Sequence, residues 1–304
     1  MKKISLLLLI FFFHSCSSTT PSGAQKIDLD DEDLAWLENS DFIPAAEVPY
    51  RAERDFFTGP VANHDALSKE SLARVDERSL GSLQKSDADP VAKALAFCYA
   101  GNYTQANSII DESFDEYKSH PSYWNAIGTC YFLQGQISKS LLYYNKSRSI
   151  DENYAPAINN IGVIYQRQGF SQRALKSFEQ ASEKNNFSST PAFNLAQLYL
   201  QNGFASKARE ILMGLHSAND DDVDVLNGLA MSFLLEGDSR RAVSFFGRIP
   251  RSEHRQAHIG LNFAIALKIV GRDKDAETIF KQVSRDNLGA LRDYYFDVEK
   301  FIRG

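Results

Sequence analysis

Cysteine is scarce, with three in 304 residues, at Cys16, Cys98 and Cys130. That excludes a disulfide-dense scaffold and a multi-cysteine zinc module. No sustained basic stripe is present, and the net charge is −6, which argues against nucleic acid as a partner. Long apolar runs are also missing. The clearest one extends only from Ile4 to Phe13, interrupted by Ser5, and is too short for an ordinary membrane span. Enzyme signatures are absent: no G-x-S-x-G elbow, no phosphate-cradling glycine loop and no H-E-x-x-H pair. Adjacent carboxylates such as Asp111–Glu112 and Asp220–Asp222 fall where solvated charge is the default.

What is present is a period. Gly101, Gly135, Gly169, Gly203, Gly237 and Gly271 stand 34 residues apart. A repeat of that length marks a stack of supersecondary units. Five residues after each glycine stands Ala106, Ser140, Ala174, Ala208, Ala242 or Ala276; nine after it, Ile110, Tyr144, Phe178, Leu212, Phe246 or Phe280. Four before it stands Phe97, Tyr131, Tyr165, Tyr199, Phe233 or Leu267, and seven before it the small Ala94, Gly128, Gly162, Ala196, Ala230 or Ala264. Each glycine ends a helix in the left-handed backbone it tolerates. The small residues let helices approach, and the large ones fill the gap between them. Pro90, Pro121, Pro156 and Pro191 fall in first helical turns, where a missing N–H is harmless. The units are helical hairpins over 87–120, 121–154, 155–188, 189–222, 223–256 and 257–290.

These positions resemble the tetratricopeptide repeat. The second unit carries Trp124, Ile127, Gly128, Tyr131, Gly135, Tyr144 and Ser147 at the signature places, and the third carries Ile161, Gly162, Tyr165, Gly169, Ala174, Phe178 and Ala181. The resemblance implies an all-α, right-handed α-solenoid of six hairpins over 87–290. Residues 291–304 read as an amphipathic capping helix, with Leu291, Tyr294, Tyr295, Val298, Phe301 and Ile302 at helical spacing. Residues 61–86 read as an N-terminal helix or cap.

The start of the chain reads as a signal. Met1-Lys2-Lys3 and the short apolar run are followed by Ser15-Cys16 and a stretch of Ser and Thr. This resembles a bacterial lipoprotein signal over 1–15, with Cys16 lipidated, and implies a periplasm-facing outer-membrane anchor. Residues 16–60 read as an acidic tether. Asp28, Asp30, Asp31, Glu32, Asp33, Glu38 and Asp41 have no basic residue among them, and Leu34, Trp36 and Leu37 are interspersed. The tether is either a spacer or a docking motif. Cys98 and Cys130 lie on first helices of neighbouring units and read as buried free thiols, since adjacent helices rarely offer bridge geometry.

Candidate site residues follow from the repeat, whose first helices line the concave groove in that family. Asn125, Asn159 and Asn227 share one inward position, and Asn160, Asn194 and Asn262 the next. Gln166, Arg167, Gln197, Gln201, Met231 and Lys268 map nearby. An asparagine row can hydrogen-bond an extended peptide, or it can bond the solenoid's own backbone. The clamp used by chaperone-tail binders is not assembled, because its places hold Val91, Asn125, Phe193 and Leu261. His254 and His258, four apart, offer a remote metal-dependent hydrolase, or else surface histidines in a loop.

Taken together, these features suggest a non-enzymatic, cofactor-free scaffold that binds an envelope protein or an extended peptide segment of one. It resembles the six-repeat bacterial lipoproteins, among them the pilots of pilus secretin assembly. An adaptor recruiting peptidoglycan hydrolases or a periplasmic protease is the alternative.

Overall fold

The computed structural model describes residues 81, 83–85, 89–184, 189–285, 288 and 291–304. The expected signal, the lipidated Cys16, the acidic tether and most of the expected N-terminal cap lie outside the described residues. Of that cap, Leu83 is buried and the Gln84 amide donates to the Ala96 carbonyl at 3.2 Å. The described residues contain α-helices, one 3-10 turn and no strand. None of these helices is long and apolar enough to cross a membrane.

Two compact bodies divide the chain between Pro191 and Ala192. The first contains α1 (Pro90–Tyr99), α2 (Tyr103–Tyr117), α3 (Pro121–Leu133), α4 (Ile137–Ile150), α5 (Ala155–Gln168) and α6 (Ser171–Lys184). The second contains α7 (Thr190–Gln201), α8 (Ala205–Ala218), α9 (Val223–Leu235), α10 (Ser239–Arg248), the 3-10 turn Glu253–Arg255, α11 (Ala257–Ile269), α12 (Asp273–Gln282) and α13 (Arg292–Arg303). Helix α7 begins two residues before the division. The helices pair as six hairpins, α1–α2 through α11–α12.

The hairpin turn is the same motif each time. All six periodic glycines have φ between +76° and +85°. The glycine N–H and the next N–H reach back to carbonyls in the last turn. In the second hairpin, Gly135 donates to Phe132 at 2.9 Å and Gln136 to Tyr131 at 2.9 Å. That pair of bonds satisfies carbonyls a helix end leaves open. Helix starts use proline or aspartate. Proline sits in the first turn of α1, α3 and α5. The Asp222 carboxylate accepts from Asp224 N (3.0 Å) and Val225 N (3.1 Å) ahead of α9.

Close approach explains the small positions. A Cβ on Gly128 would lie 2.6 Å from the Tyr144 ring and 3.2 Å from the Ser140 carbonyl. One on Gly162 would lie 2.8 Å from the Phe178 ring. The large residue nine places after each hairpin glycine therefore packs on the small residue of the preceding helix. In the second body one apolar cluster runs from Ala196 to Ile302. There α13 buries Tyr294, Tyr295, Val298 and Ile302 and packs on α11 and α12.

The two inner cysteines are bridged, not free. Cys98 of α1 and Cys130 of α3 form a disulfide with Cα atoms 5.2 Å apart. Both lie one turn or less from the ends of stacked first helices, and the close packing of those helices brings the Cβ atoms into range.

Candidate functional site

The expected asparagine row does not face a ligand. Asn125, Asn159, Asn160, Asn227 and Asn262 are each 0% exposed. The reason is that the first helices stack closely enough to enclose these short amides. In the first body, Asn160 Nδ2 donates to Asn125 Oδ1 at 2.9 Å, linking α5 to α3. The Asn159 amide reaches Asn160 Oδ1 at 3.4 Å. Thr129 Oγ1 donates to the Asn125 carbonyl at 3.0 Å and shares a 3.0 Å bond with the Tyr144 hydroxyl. A buried amide must be bonded or it costs stability, and here the solenoid itself supplies the partners.

In the second body, Asn262 donates to the His258 carbonyl and accepts from the Tyr294 hydroxyl at 2.6 Å. Asn262 thus holds the capping helix α13. Burial pushes the Tyr294 hydroxyl well above its ordinary pKa, which keeps it a donor. Asn227 stands at the register of Asn125, yet neither atom of its amide has a hydrogen-bond partner among the described residues.

The remaining candidates stay partly accessible. Gln166, Asn194, Gln197 and Gln201 are half-buried, and Arg167 is exposed. The Arg167 guanidinium lies 4.6 Å from the Phe132 ring centroid. Met231 is buried, and Lys268 pairs with Asp273 at 3.0 Å. Five of the ten groove candidates are therefore buried, four of them in interior bonds, and the accessible ones are distributed over α5 in one body and α7 in the other.

His254 and His258 are not surface residues; they are 4% and 9% exposed. His254 sits on the 3-10 turn, edge-on to Phe263 at 5.1 Å, with its Nε2 3.4 Å from the Phe246 carbonyl. Burial pulls its pKa below the usual 6.5. No group of three His, Cys, Asp or Glu among the described residues is placed to hold a metal ion.

Sequence reasoning missed a second kind of surface, built on aromatic rings capped by cations. In the second hairpin, Trp124 and Tyr131 of α3 stack on Tyr143 of α4 at 6.0 and 5.2 Å, with interplanar angles of 9° and 3°. Lys146 lies 5.7 Å over Trp124 and Lys139 lies 5.2 Å over Tyr131. The fifth hairpin repeats it. Phe233 stacks on Phe245 at 5.4 Å, with Arg241 over Phe233 at 5.4 Å and Arg248 over Phe245 at 6.0 Å. The signal was the basic residue four places after each of four glycines: Lys139, Arg173, Lys207 and Arg241.

A family model for the tetratricopeptide repeat matches residues 91–155. Pseudomonas aeruginosa PilF superposes with a TM-score of 0.59 at 17% identity, covering 73% of this chain and 98% of that one. PilW, described as a widely conserved type IV pilus biogenesis factor, gives 0.56 at 18% identity, covering 70% and 96%. The Cut9–Hcn1 hetero-tetramer of the APC/C gives 0.59 at 18% identity over 74% of this chain, but only 44% of the matched one.

Residues 91–155 match the tetratricopeptide-repeat model, and the described hairpins share the helical-repeat fold of these solved structures. Among curated protein sequences, none matches it. The repeat is an all-α architecture used to hold protein or peptide partners. With 161 solved chains matching, the fold alone selects no particular partner.

Proposed function

We propose that the chain is a lipid-anchored, non-enzymatic adaptor of the outer membrane, which holds another envelope protein in the periplasm and serves as a pilot for pilus secretin assembly. The observation that carries this reading is the extent of the likeness to the two pilus proteins. The described hairpins of one chain span nearly all of both. Two independent features support the compartment. Lys2-Lys3, the short apolar run and Ser15-Cys16 have the order of a lipoprotein leader. The Cys98–Cys130 bridge suits an oxidising space and would be unusual in a reducing cytosol.

The accessible polar residues of α5, Gln166 and Arg167 in the first body, supply contacts. The buried asparagines set the stacking of the helices that present them.

The test is a deletion strain complemented with the full chain or a Cys16→Ala variant. Loss of assembled secretin in the deletion and in Cys16→Ala, with rescue by the full chain, is the expected result. Secretin oligomers that form normally in the deletion overturn the pilot reading. Co-purification of hydrolases or a protease in place of a secretin would favour the other adaptor class.

A further inference from the structure

The two bodies contain the same asparagine pair, closed in the first and open in the second. Asn227 and Asn262 stand three periods of 34 residues after Asn125 and Asn160, so both pairs occupy the same registers of successive first helices. In the first body the pair is made, with Asn160 Nδ2 donating to Asn125 Oδ1 at 2.9 Å. In the second body Asn262 is engaged elsewhere. Its Oδ1 accepts from the Tyr294 hydroxyl at 2.6 Å, and its Nδ2 donates to the His258 carbonyl of its own helix. Asn227 is 0% exposed, and neither atom of its amide is bonded among the described residues.

The helix that takes the Asn262 amide is α13, which stands one period after α11. Its apolar face sits on the last hairpin. The Tyr295 ring lies 4.9 Å from that of Phe280 on α12, and Val298 and Ile302 are buried beside it. At the margin, Arg285 Nε donates to the Tyr295 hydroxyl at 2.8 Å, and the guanidinium lies 3.6 Å from Glu299. Marginal ion pairs of this kind contribute little. A buried amide without a partner is costly. Seating α13 therefore makes one buried hydrogen bond, Tyr294 to Asn262, and withholds another, Asn262 to Asn227. The two nearly offset, so α13 is held chiefly by its apolar contacts.

We infer that α13 is a releasable latch, in which the Tyr294 hydroxyl and the Asn227 amide compete for Asn262. With α13 seated, Asn262 bonds Tyr294. With α13 released, Asn262 turns to Asn227 and closes the bond that Asn160 makes to Asn125 in the first body. Release uncovers the Phe280 side of the last hairpin without leaving a buried amide unpaired. The latch is a property of the chain alone and does not rest on the pilot reading.

Hydrogen exchange of the full chain, read by mass spectrometry over a double-mutant cycle, tests it. Asn227→Leu removes the partner to which Asn262 turns. The α13 amides should then exchange about tenfold more slowly, the factor that one buried hydrogen bond supplies. Tyr294→Phe should leave α13 exchange within about twofold when Asn227 is present, because Asn262 then pairs with Asn227 in the seated state as well. In the Asn227→Leu background, where no such pair can form, Tyr294→Phe should speed α13 exchange by about tenfold. Asn227→Ala, which adds no volume, repeats the cycle should leucine overfill the site. Either of two results would overturn the latch. One is an equal effect of Tyr294→Phe in both backgrounds, which means that Asn227 and Tyr294 do not share Asn262. The other is α13 exchange unchanged by the loss of the Asn227 amide.

Discussion

The two bodies use one repeat but hold themselves together differently. In the first, the described residues form three apolar clusters, with the Cys98–Cys130 bridge inside one of them and the Asn160–Asn125 amide bond tying α5 to α3. In the second, the described residues form one continuous apolar cluster closed by α13. Apolar stacking is non-directional and scales with area. Amide pairs and disulfides fix a partner and a distance. The hairpin signature therefore specifies the element, while the residues that vary between copies decide how rigidly each copy is locked to the next.

The largest effect that could break this contrast is expected at Gly260. A Cβ there would lie 2.2 Å from the His254 carbonyl oxygen, which is backbone and cannot turn away. Gly260→Ala should cost about 3 kcal/mol or prevent folding. Gly128→Ala meets the Tyr144 ring, a side chain able to shift, and should cost about 1–3 kcal/mol. Denaturant midpoints of the two variants give the order, and equal losses would show that ring and backbone obstacles are equivalent here.

Removing the staple comes next. Cys98→Ser/Cys130→Ser should destabilise the first body by about 2–4 kcal/mol, chiefly by freeing the unfolded chain. Hydrogen exchange should speed up in α1–α4 and stay unchanged in α9–α12. Equal acceleration in both bodies would mean that the bridge supports the whole chain.

Much of this was legible in the sequence, for a physical reason. Gly135 and its five counterparts were readable because only one residue type accepts their backbone cheaply, and the six copies exposed that rule. Tyr144 and Phe178 were readable as core because Gly128 and Gly162 leave room for them. The candidate site was less legible. The same 34-residue period places Asn125 and Asn160 on the first helices whether they face a ligand or each other, since period reports the helix face and not the distance to the next helix. The 2.9 Å bond between them depends on how closely α3 and α5 stack. The disulfide was misread for the same reason, because stacking distance set the Cα separation. The buried histidines escaped because the 3-10 turn folds His254 under α11.

The asparagines sharpen the contrast at a smaller scale. Asn160→Ala leaves Asn125 Oδ1 without its donor and should cost about 1–3 kcal/mol. Asn227, bonded to nothing among the described residues, should behave oppositely. Leu261 occupies the same register one hairpin later and is fully buried, so Asn227→Leu has a local precedent. Replacing an unsatisfied buried amide with an apolar side chain should be neutral or stabilise by about 1 kcal/mol. Thermal unfolding of both variants decides it, and a large loss in Asn227→Leu would show that its amide is bonded in solution.

The smallest effect is in pH. Burial lowers the pKa of His254 from 6.5, although the Phe246 and Ile249 carbonyls and Glu253 oppose the shift; nearby Arg251 reinforces it. The unfolded chain therefore takes up a proton near pH 6.5 while the folded chain does not. Stability supplied by the neutral ring is complete above 6.5 and declines as pH falls below it, by at most about 1.4 kcal/mol per pH unit. Asp89 in the first body has the opposite sign. Burial raises its folded pKa above 3.8, although the N–H groups of Ala92 and Val91 partly counter this, so acidification does not weaken that body through it. Acid should loosen the second body first. His254→Phe should flatten the slope of unfolding free energy between about pH 6.5 and 5. An unchanged slope would mean that His254 titrates in the folded chain as it does in the unfolded one, and that the 3-10 turn admits water to the ring.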